Sequence, residues 1–499
     1  GFWLISNPVV ASRAVPILVG LLIPLLLGAI TWELIKDKKV MIAVVAIAEF
    51  NPWIFQFSRS SIDPPIGMAL VLLGKWLQLK LRGRNKLWSV VAYGLGFFTY
   101  QAYKLVIPLL VICTSIYSFL TDRHKKSKLK WSIFPAIAIL GVMLFYSVNL
   151  RTQEAGKRIN ALLPLDQSLL SGLVDKDRRL SLPNPMATVF TNKLTEGIER
   201  FLVQYGEALN PRQLFVKGEA NLSPFAVWSV GMFYELDIIL ILIGLVVIFK
   251  KKQKVGFYLL GLAAVAPIPT ALSAESVSVT FRSSLMIFPL LILAGIGLVT
   301  IIQTRKRVVI LLVGGGYLLL VTNFLYQYFF RYPLYAADGL FLSDRIVSSY
   351  AARTKEVLVV TNDEPFFLLE NYLFFNKKIN KDNIGEIRAV MSKSKFALDG
   401  VKFVKGCVDS RKIAAGEVVI AAVDTSECKG VSPLSDFKNL SISRVTDSGE
   451  RYRIYGDRLC SGAKLRPYVY PQSLDSLAIE KLNDESFCRE WITDVSQLK

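Results

Sequence analysis

Acidic and guanidinium side chains recur at the ends of apolar stretches in this sequence. Arg59 and Asp63 stand four residues apart in NPWIFQFSRSSIDPP, directly before two prolines that predict a sharp turn. Arg282 precedes an apolar stretch in SAESVSVTFRSSLMIFP, with Glu275 seven residues upstream. A carboxylate can take a proton from a hydroxyl, and an arginine can hold a phosphate. The alternative for both stretches is a set of charged anchors at a membrane boundary.

Other common catalytic sets are missing from the sequence. The one histidine, His124, stands among lysines, so we predict a solvated residue and neither a metal ligand nor a triad member. Gly314, Gly315 and Gly316 lie inside an apolar stretch, where they indicate close helix packing and not a phosphate loop. The chemistry would therefore rest on carboxylates and arginines. A divalent metal ion stays open, and no organic cofactor is expected.

Five short clusters of lysine and arginine separate pairs of apolar segments. The chain carries 59 Lys and Arg against 39 Asp and Glu, and the five clusters hold 19 of the basic residues. A nucleic-acid-binding protein concentrates its basic residues on one soluble face, so this pattern excludes nucleic acid as a partner. Membrane proteins keep short basic loops in the cytoplasm, and we predict that orientation here. The clusters lie at 36–39, 80–86, 123–130, 250–254 and 305–307.

The segments between the clusters predict a mainly α protein, a polytopic bundle of about ten transmembrane helices. The segments are identified by their length, because a helix needs roughly 20 residues to cross a bilayer. With the basic loops inside, the loop 151–232 and everything after about 330 lie outside. The predicted domains are thus a membrane domain, 1–330, and an extracytoplasmic domain, 331–499. The segments are approximately 14–35, 40–57, 64–80, 87–100, 102–120, 131–150, 233–249, 255–273, 283–303 and 307–329.

The first residues raise a question about export. Residues 1–13 would lie outside, yet they contain no export signal. We therefore expect an upstream transmembrane helix or a processed segment, with a short translocated N-terminus as the alternative.

The C-terminal third predicts a small α/β domain. The runs EVLVVT, GEVVIAAVD and RYRIYG are typical of strands. Four cysteines here indicate two disulfides in an oxidising compartment, and pairing of Cys407 with Cys428 and of Cys460 with Cys488 is one of three connectivities. Cys113 lies in an apolar segment, where we expect it only to pack.

Part of the long outer loop has helical periodicity. Its apolar residues predict an amphipathic helix on the outer membrane surface, or alternatively a structural lid on the bundle. They are Phe190, Leu194, Ile198, Phe201, Leu202 and Tyr205.

Five stretches, in this order, resemble the polytopic GT-C glycosyltransferases of bacteria. The similarity is greatest to the protein O-mannosyltransferase and aminoarabinose-transferase group, and it covers roughly 10–375. The stretches are NPWIFQFSRSSID, GLGFFTYQAYKLVIPLL, the run from FTNKLTEGIERFLVQYGEALN to MFYELD, PIPTALSAESVSVTFRSSLMIFP and YFFRYPLY.

The resemblance implies sugar transfer at the outer face of the bacterial cytoplasmic membrane, with inversion, from a polyprenyl-phosphate donor to a hydroxyl of a glycan, lipid or protein. Asp63 and Arg59 match an acidic residue and an arginine of the family, and Arg282 resembles an arginine that contacts the donor phosphate. The family's principal acid would precede Gly1. The resemblance also implies cavity residues, namely Asn192, Lys193, Tyr205, Lys217, Glu219 and Glu275.

Two other classes of function stay open. A lipid or sugar transporter is also polytopic, but transporters commonly contain internal repeats and membrane-embedded charges. We find no repeat, and Glu49 is the one acid predicted inside the membrane. A non-catalytic scaffold that displays its outer domain is the second alternative.

Overall fold

The computed structural model describes most of the chain. It contains two compact units, of which one is Arg13–Gln327 and the other is built mainly from Tyr328–Lys499. The described residues are 8–60, 62–121, 127–149, 167–182, 186–219, 226–273, 279–354, 356–379, 384–392, 396–408, 416–424, 440–494 and 496.

The first unit is built from helices. Its apolar stretches form helices because backbone N–H and C=O groups in apolar surroundings must bond within their own segment. The first seven are α1 Pro8–Ile35, α2 Lys38–Glu49, α3 Pro52–Arg59, α4 Asp63–Lys80, α5 Leu87–Thr99, α6 Gln101–Thr121 and α7 Ser127–Asn149. The next ten are α8 Gln167–Arg179, α9 Ala187–Phe190, α10 Lys193–Ala208, α11 Pro211–Phe215, α12 Glu235–Lys251, α13 Gln253–Val265, α14 Ile268–Ala271, α15 Val279–Arg282, α16 Ile287–Gln303 and α17 Arg307–Tyr326.

Several of these helices are long and apolar enough to cross a membrane. Within the described residues there are six, or seven if α2 and α3 form one span bent by 57°. The sequence predicts ten, and the shortfall has local causes: α4 carries three charged residues, α5 has 13 residues and α12 has 17. The protein is therefore a helical membrane protein. The six are Val10–Ile35, Gln101–Thr121, Trp131–Val148, Gln253–Ala271, Ser284–Gln303 and Arg307–Tyr335.

The two ends of the bundle differ in character. At the basic end, the Lys252 ammonium donates to the Ile35 carbonyl at 2.6 Å and the Lys254 ammonium donates to the Leu120 carbonyl at 2.7 Å. These contacts bring the basic loop after α12 to the ends of α1 and α6. The opposite end, here called the Tyr100 end after the residue between α5 and α6, contains the turns after α2 and before α16.

Close packing of α12 on α16 depends on two glycines. A Cβ atom at Gly244 would overlap the Leu293 carbonyl oxygen, and a Cβ atom at Gly297 would overlap the Leu240 carbonyl oxygen. Only glycine allows the two backbones to approach this closely.

The second unit contains a six-stranded mixed sheet, which confirms that the chain ends in a small sheet-containing region. Strand order is β2-β3-β1-β4-β6-β5; β1 is parallel to β3 and β4, and the other pairs are antiparallel. The strands are β1 Val357–Thr361, β2 Phe396–Leu398, β3 Val401–Lys405, β4 Val418–Ala422, β5 Leu440–Ser443 and β6 Glu450–Tyr455. The helices are α18 Tyr332–Tyr335, α19 Leu342–Arg353, α20 Pro365–Phe375, α21 Ile384–Ser392 and α22 Asp484–Trp491.

A disulfide reinforces the core of this unit. Cys460 and Cys488 are bonded with their Cα atoms 5.4 Å apart, and both are buried beside Trp491. Cys407 is also disulfide-bonded, and Cys428 lies outside the described residues. Cys113, in α6 of the first unit, is a half-buried free thiol.

We predict that Gly297→Ala destabilises the bundle by roughly 1–3 kcal/mol, because the added methyl group forces α12 away from α16. Gly315→Ala is the matched control, since a Cβ atom at Gly315 meets no atom within 4 Å. Thermal unfolding of both variants in detergent measures the difference. Equal melting temperatures would contradict the packing described here.

Candidate functional site

The helix that carries Arg59 begins at a buried asparagine. Asn51 caps α3: its side-chain oxygen accepts from the N–H groups of Trp53 and Ile54, both at 3.1 Å. Its amide nitrogen donates to the Met232 carbonyl at 3.1 Å. The proline that follows has no N–H group to satisfy at this first helical position. Asn51 thus determines both the start of α3 and its contact with the segment before α12.

A chain of hydrogen bonds runs from α3 to two distant segments. The Trp53 indole N–H donates to the Thr280 carbonyl at 3.0 Å, across 227 residues of sequence. The Thr280 hydroxyl donates to a Glu219 carboxylate oxygen at 2.5 Å. Glu219 is 3% exposed, so the carboxylate lies inside the protein.

Arg282, the last residue of α15, also lies near Tyr100. Its guanidinium hydrogen-bonds the Ser273 hydroxyl and faces the Tyr100 hydroxyl at hydrogen-bonding range. Burial raises the pKa of Tyr100, the Arg282 charge opposes that shift, and the Glu219 carboxylate adds to it. The guanidinium and the carboxylate therefore both act on one hydroxyl. We call Trp53, Tyr100, Glu219, Thr280 and Arg282 the Tyr100 cluster.

The Tyr100 cluster contains two ionisable side chains that lose hydration when they are buried. A carboxylate or a guanidinium removed from water loses several kcal/mol of hydration unless hydrogen bonds replace it, on the order of the penalty for buried ions. Glu219 is buried, whereas Arg282 is only half-buried. The half-buried guanidinium can bind an anion such as a phosphate, and the buried carboxylate accepts from the Thr280 hydroxyl.

Arg59 lies at a separate groove between α1, α3 and α17. Its guanidinium is 5.5 Å from the centre of the Phe55 ring, and with Glu49 it lines a cavity of about 460 Å³. The other walls are mostly apolar and include Ile17, Leu21, Ile54, Phe324 and Leu325. The groove therefore combines charges with a surface suited to a hydrocarbon chain.

Asp63 lies on a different element from Arg59. It is exposed in the first turn of α4, where a negative charge is favoured by the helix dipole. The two residues that the sequence pairs thus belong to two helices.

The outer-loop candidates divide into structural and exposed residues. Asn192 caps α10, accepting from the N–H groups of Leu194 at 2.9 Å and Thr195 at 3.1 Å. The Tyr205 hydroxyl donates to the Ala264 carbonyl at 2.8 Å, which joins α10 to the end of α13. Both side chains therefore help to position α10. Lys193 and Lys217 are exposed, and Glu275 and His124 lie outside the described residues.

Sequence reasoning missed a buried lysine in α4. Lys75 has no exposed surface; its ammonium donates to the Thr114 hydroxyl at 3.0 Å and the Tyr258 hydroxyl at 3.1 Å. It also lies 5.2 Å from the centre of the Phe288 ring. The available signal was a single charge inside an apolar segment. These contacts join α4, α6, α13 and α16.

The described part of the chain holds no group of three or more His, Cys, Asp or Glu side chains that could bind a metal ion. A scan against protein-family models finds no match for this chain, and a search of curated proteins finds none either. The fold and the site therefore define only the class of the protein. It is a helical membrane protein with a polar cluster at one end of its bundle.

We predict that Trp53→Phe lowers the free energy of unfolding by about 1–3 kcal/mol, because the buried Thr280 carbonyl loses its donor. Trp88→Phe makes the same chemical change at a side chain that is 64% exposed, and we expect little effect there. Thermal or denaturant unfolding in detergent compares the two. A larger loss at Trp88 would show that the hydrogen bond to Thr280 contributes little.

Proposed function

We propose that this protein is a glycosyltransferase of the GT-C type, which moves a sugar from a polyprenyl phosphate to an acceptor hydroxyl at the extracytoplasmic face of the bacterial cytoplasmic membrane. One observation carries the proposal. In the Tyr100 cluster, a half-buried arginine and a buried carboxylate both lie near the Tyr100 hydroxyl at one end of an apolar bundle. Ionisable groups are costly at such a position, which favours a functional role.

The basic loops support the orientation. Contacts of Lys252 and Lys254 bring three loops to the end opposite the Tyr100 cluster. Since basic loops stay cytoplasmic, the Tyr100 end would face outward. A disulfide between Cys460 and Cys488 also suits an oxidising, extracytoplasmic compartment for the second unit.

The reaction would use an arginine on the leaving group. The acceptor oxygen forms a bond to sugar C1 as the bond from C1 to the phosphate oxygen breaks, and the electron pair of that bond stays on the phosphate. Charge develops on the phosphate, so a guanidinium in place stabilises the transition state. Arg282 is suited to this role, with Tyr100 and Ser273 orienting it.

The lipid part of the donor would occupy the groove beside Arg59. Its apolar walls suit a polyprenyl chain, and Arg59 supplies a second positive charge near the head group. The acceptor proton needs a carboxylate, and exposed Asp63 is the candidate from the family resemblance.

We predict that Arg282→Gln lowers the rate of sugar transfer by about 100-fold or more, because the leaving phosphate loses its charged donor. Arg282→Lys keeps the charge and should restore part of the rate. The measurement is transfer of a radiolabelled sugar from a polyprenyl phosphate in membranes containing the protein.

Arg305→Gln is the control for charge, since it removes a guanidinium at the basic end of the bundle. Full transfer by Arg282→Gln would overturn the proposed site. Uptake of the labelled lipid or sugar into sealed vesicles without any transfer would establish the transporter alternative. Absence of both transfer and uptake would favour the non-catalytic scaffold.

A second prediction concerns the acceptor side. Asp63→Asn should lower kcat about 100-fold while leaving donor KM nearly unchanged, because the amide cannot take the hydroxyl proton. Glu235→Gln, at the start of α12, is a control that removes a carboxylate from another helix start. Unchanged kcat in Asp63→Asn would remove Asp63 from the mechanism and leave the assignment of Arg282 intact.

A further inference from the structure

A large groove lies at one edge of the sheet in the second unit. Its volume is about 820 Å³, within the usual range for small-molecule sites. Thr361 ends β1, and Tyr452 lies opposite Ala422 at the end of β4. Both Thr361 and Tyr452 line the groove, which is therefore at the carboxyl edge of the parallel strands.

The position in the sheet is one that favours ligand binding. β1 has parallel neighbours on both sides, β3 and β4, so the chain passes from one side of β1 to the other after β3. In open α/β sheets, ligands bind in the crevice at such a switch point.

Four carboxylates and one guanidinium, that of Arg388, line the groove, so negative charge is in excess there. Asp363 pairs with Arg451 at 3.1 Å, while Asp344 accepts from the Tyr452 hydroxyl at 2.7 Å. Burial raises the pKa of Asp344, the hydrogen bond from Tyr452 and the charge of Arg451 oppose that shift, and Asp363 adds to it. Asp344 and Asp363 thus both lie near Arg451, and Asp363 pairs with it. Nearby Glu364 is neutralised by Lys405 at 2.5 Å.

The rest of the groove presents exposed apolar side chains. Phe341 is 66% exposed, Phe367 57% and Ile379 52%. Phe341 also has a left-handed backbone with φ of 56°, which costs a bulky residue about 1 kcal/mol or more. Exposed apolar surface in a concave site is typical of binding regions.

We propose that this groove binds an organic cation with an apolar body. The ammonium group lies between Asp344 and Asp363, and the body packs on Phe341 and Phe367 along α20. The carboxylate excess selects the positive charge, and the aromatic faces attract it further. The inference does not depend on glycosyl transfer. A purely apolar ligand would contact the apolar walls of the groove and leave Asp344 and Asp363 without a cationic partner from the ligand.

The test compares three probes of similar shape. Phenylbutylamine, phenylbutanol and phenylbutyrate are titrated by calorimetry into the full chain in nanodiscs of zwitterionic lipid, with protein-free nanodiscs subtracted. We expect the amine to bind about tenfold more tightly than the alcohol, and the carboxylate to bind least. Equal binding of amine and alcohol, or no binding of the amine, overturns the proposal.

Variants locate the binding site. Asp344→Asn should abolish the preference for the amine while the alcohol binds as before, because the amide still accepts from Tyr452. Asp363→Asn is a second variant with the same expected result. It tests the site even if Asp344→Asn fails to fold. Asp447→Asn, an exposed carboxylate in the turn between β5 and β6, is the matched control. A preference that survives both groove variants places the amine elsewhere and overturns the proposal.

Discussion

Polar atoms inside an apolar bundle must find partners within the protein, and this constraint acts most visibly at Asn51. Its side chain satisfies two N–H groups at the start of α3 and one carbonyl before α12. These bonds place Trp53, whose indole N–H reaches Thr280 and through it the Glu219 carboxylate. If Asn51 were apolar, three buried backbone groups would lose their partners, and both the bend between α2 and α3 and the Tyr100 cluster would lose their support.

The helices were largely predictable because their signal is local. Apolar runs of bilayer length and the basic clusters between them indicate both the segments and their alternation. The strand β1 in EVLVVT was predictable for the same reason, since Val357–Thr361 is a short β-branched run. The meeting of Glu219 with Thr280 was not, because 61 residues separate them and their contact depends on how several helices pack.

Two asparagines in the sequence carry a local signal for a helix start that the sequence analysis does not use. The expected single segment 40–57 is interrupted at Asn51, and an asparagine before a proline is a strong sign of a new helix start. Asn192 stays a predicted cavity residue, and its amide oxygen caps α10. In both cases an asparagine side chain bonds to nearby backbone N–H groups, a role that spacing alone does not separate from ligand binding.

Two of the cations in the bundle, Lys75 and Arg282, differ in a way that separates structure from function. Lys75 has no exposed surface, and two hydroxyls and two aromatic rings surround its ammonium. An incoming ligand would have to displace α6 or α13 to reach it, so its contacts act between helices. Arg282 is half-buried at the end of the bundle, and its partners include the Ser273 and Tyr100 hydroxyls. Because Arg282 lies at the end of the bundle, an anion that approaches from outside can reach the exposed part of its guanidinium without displacing a helix.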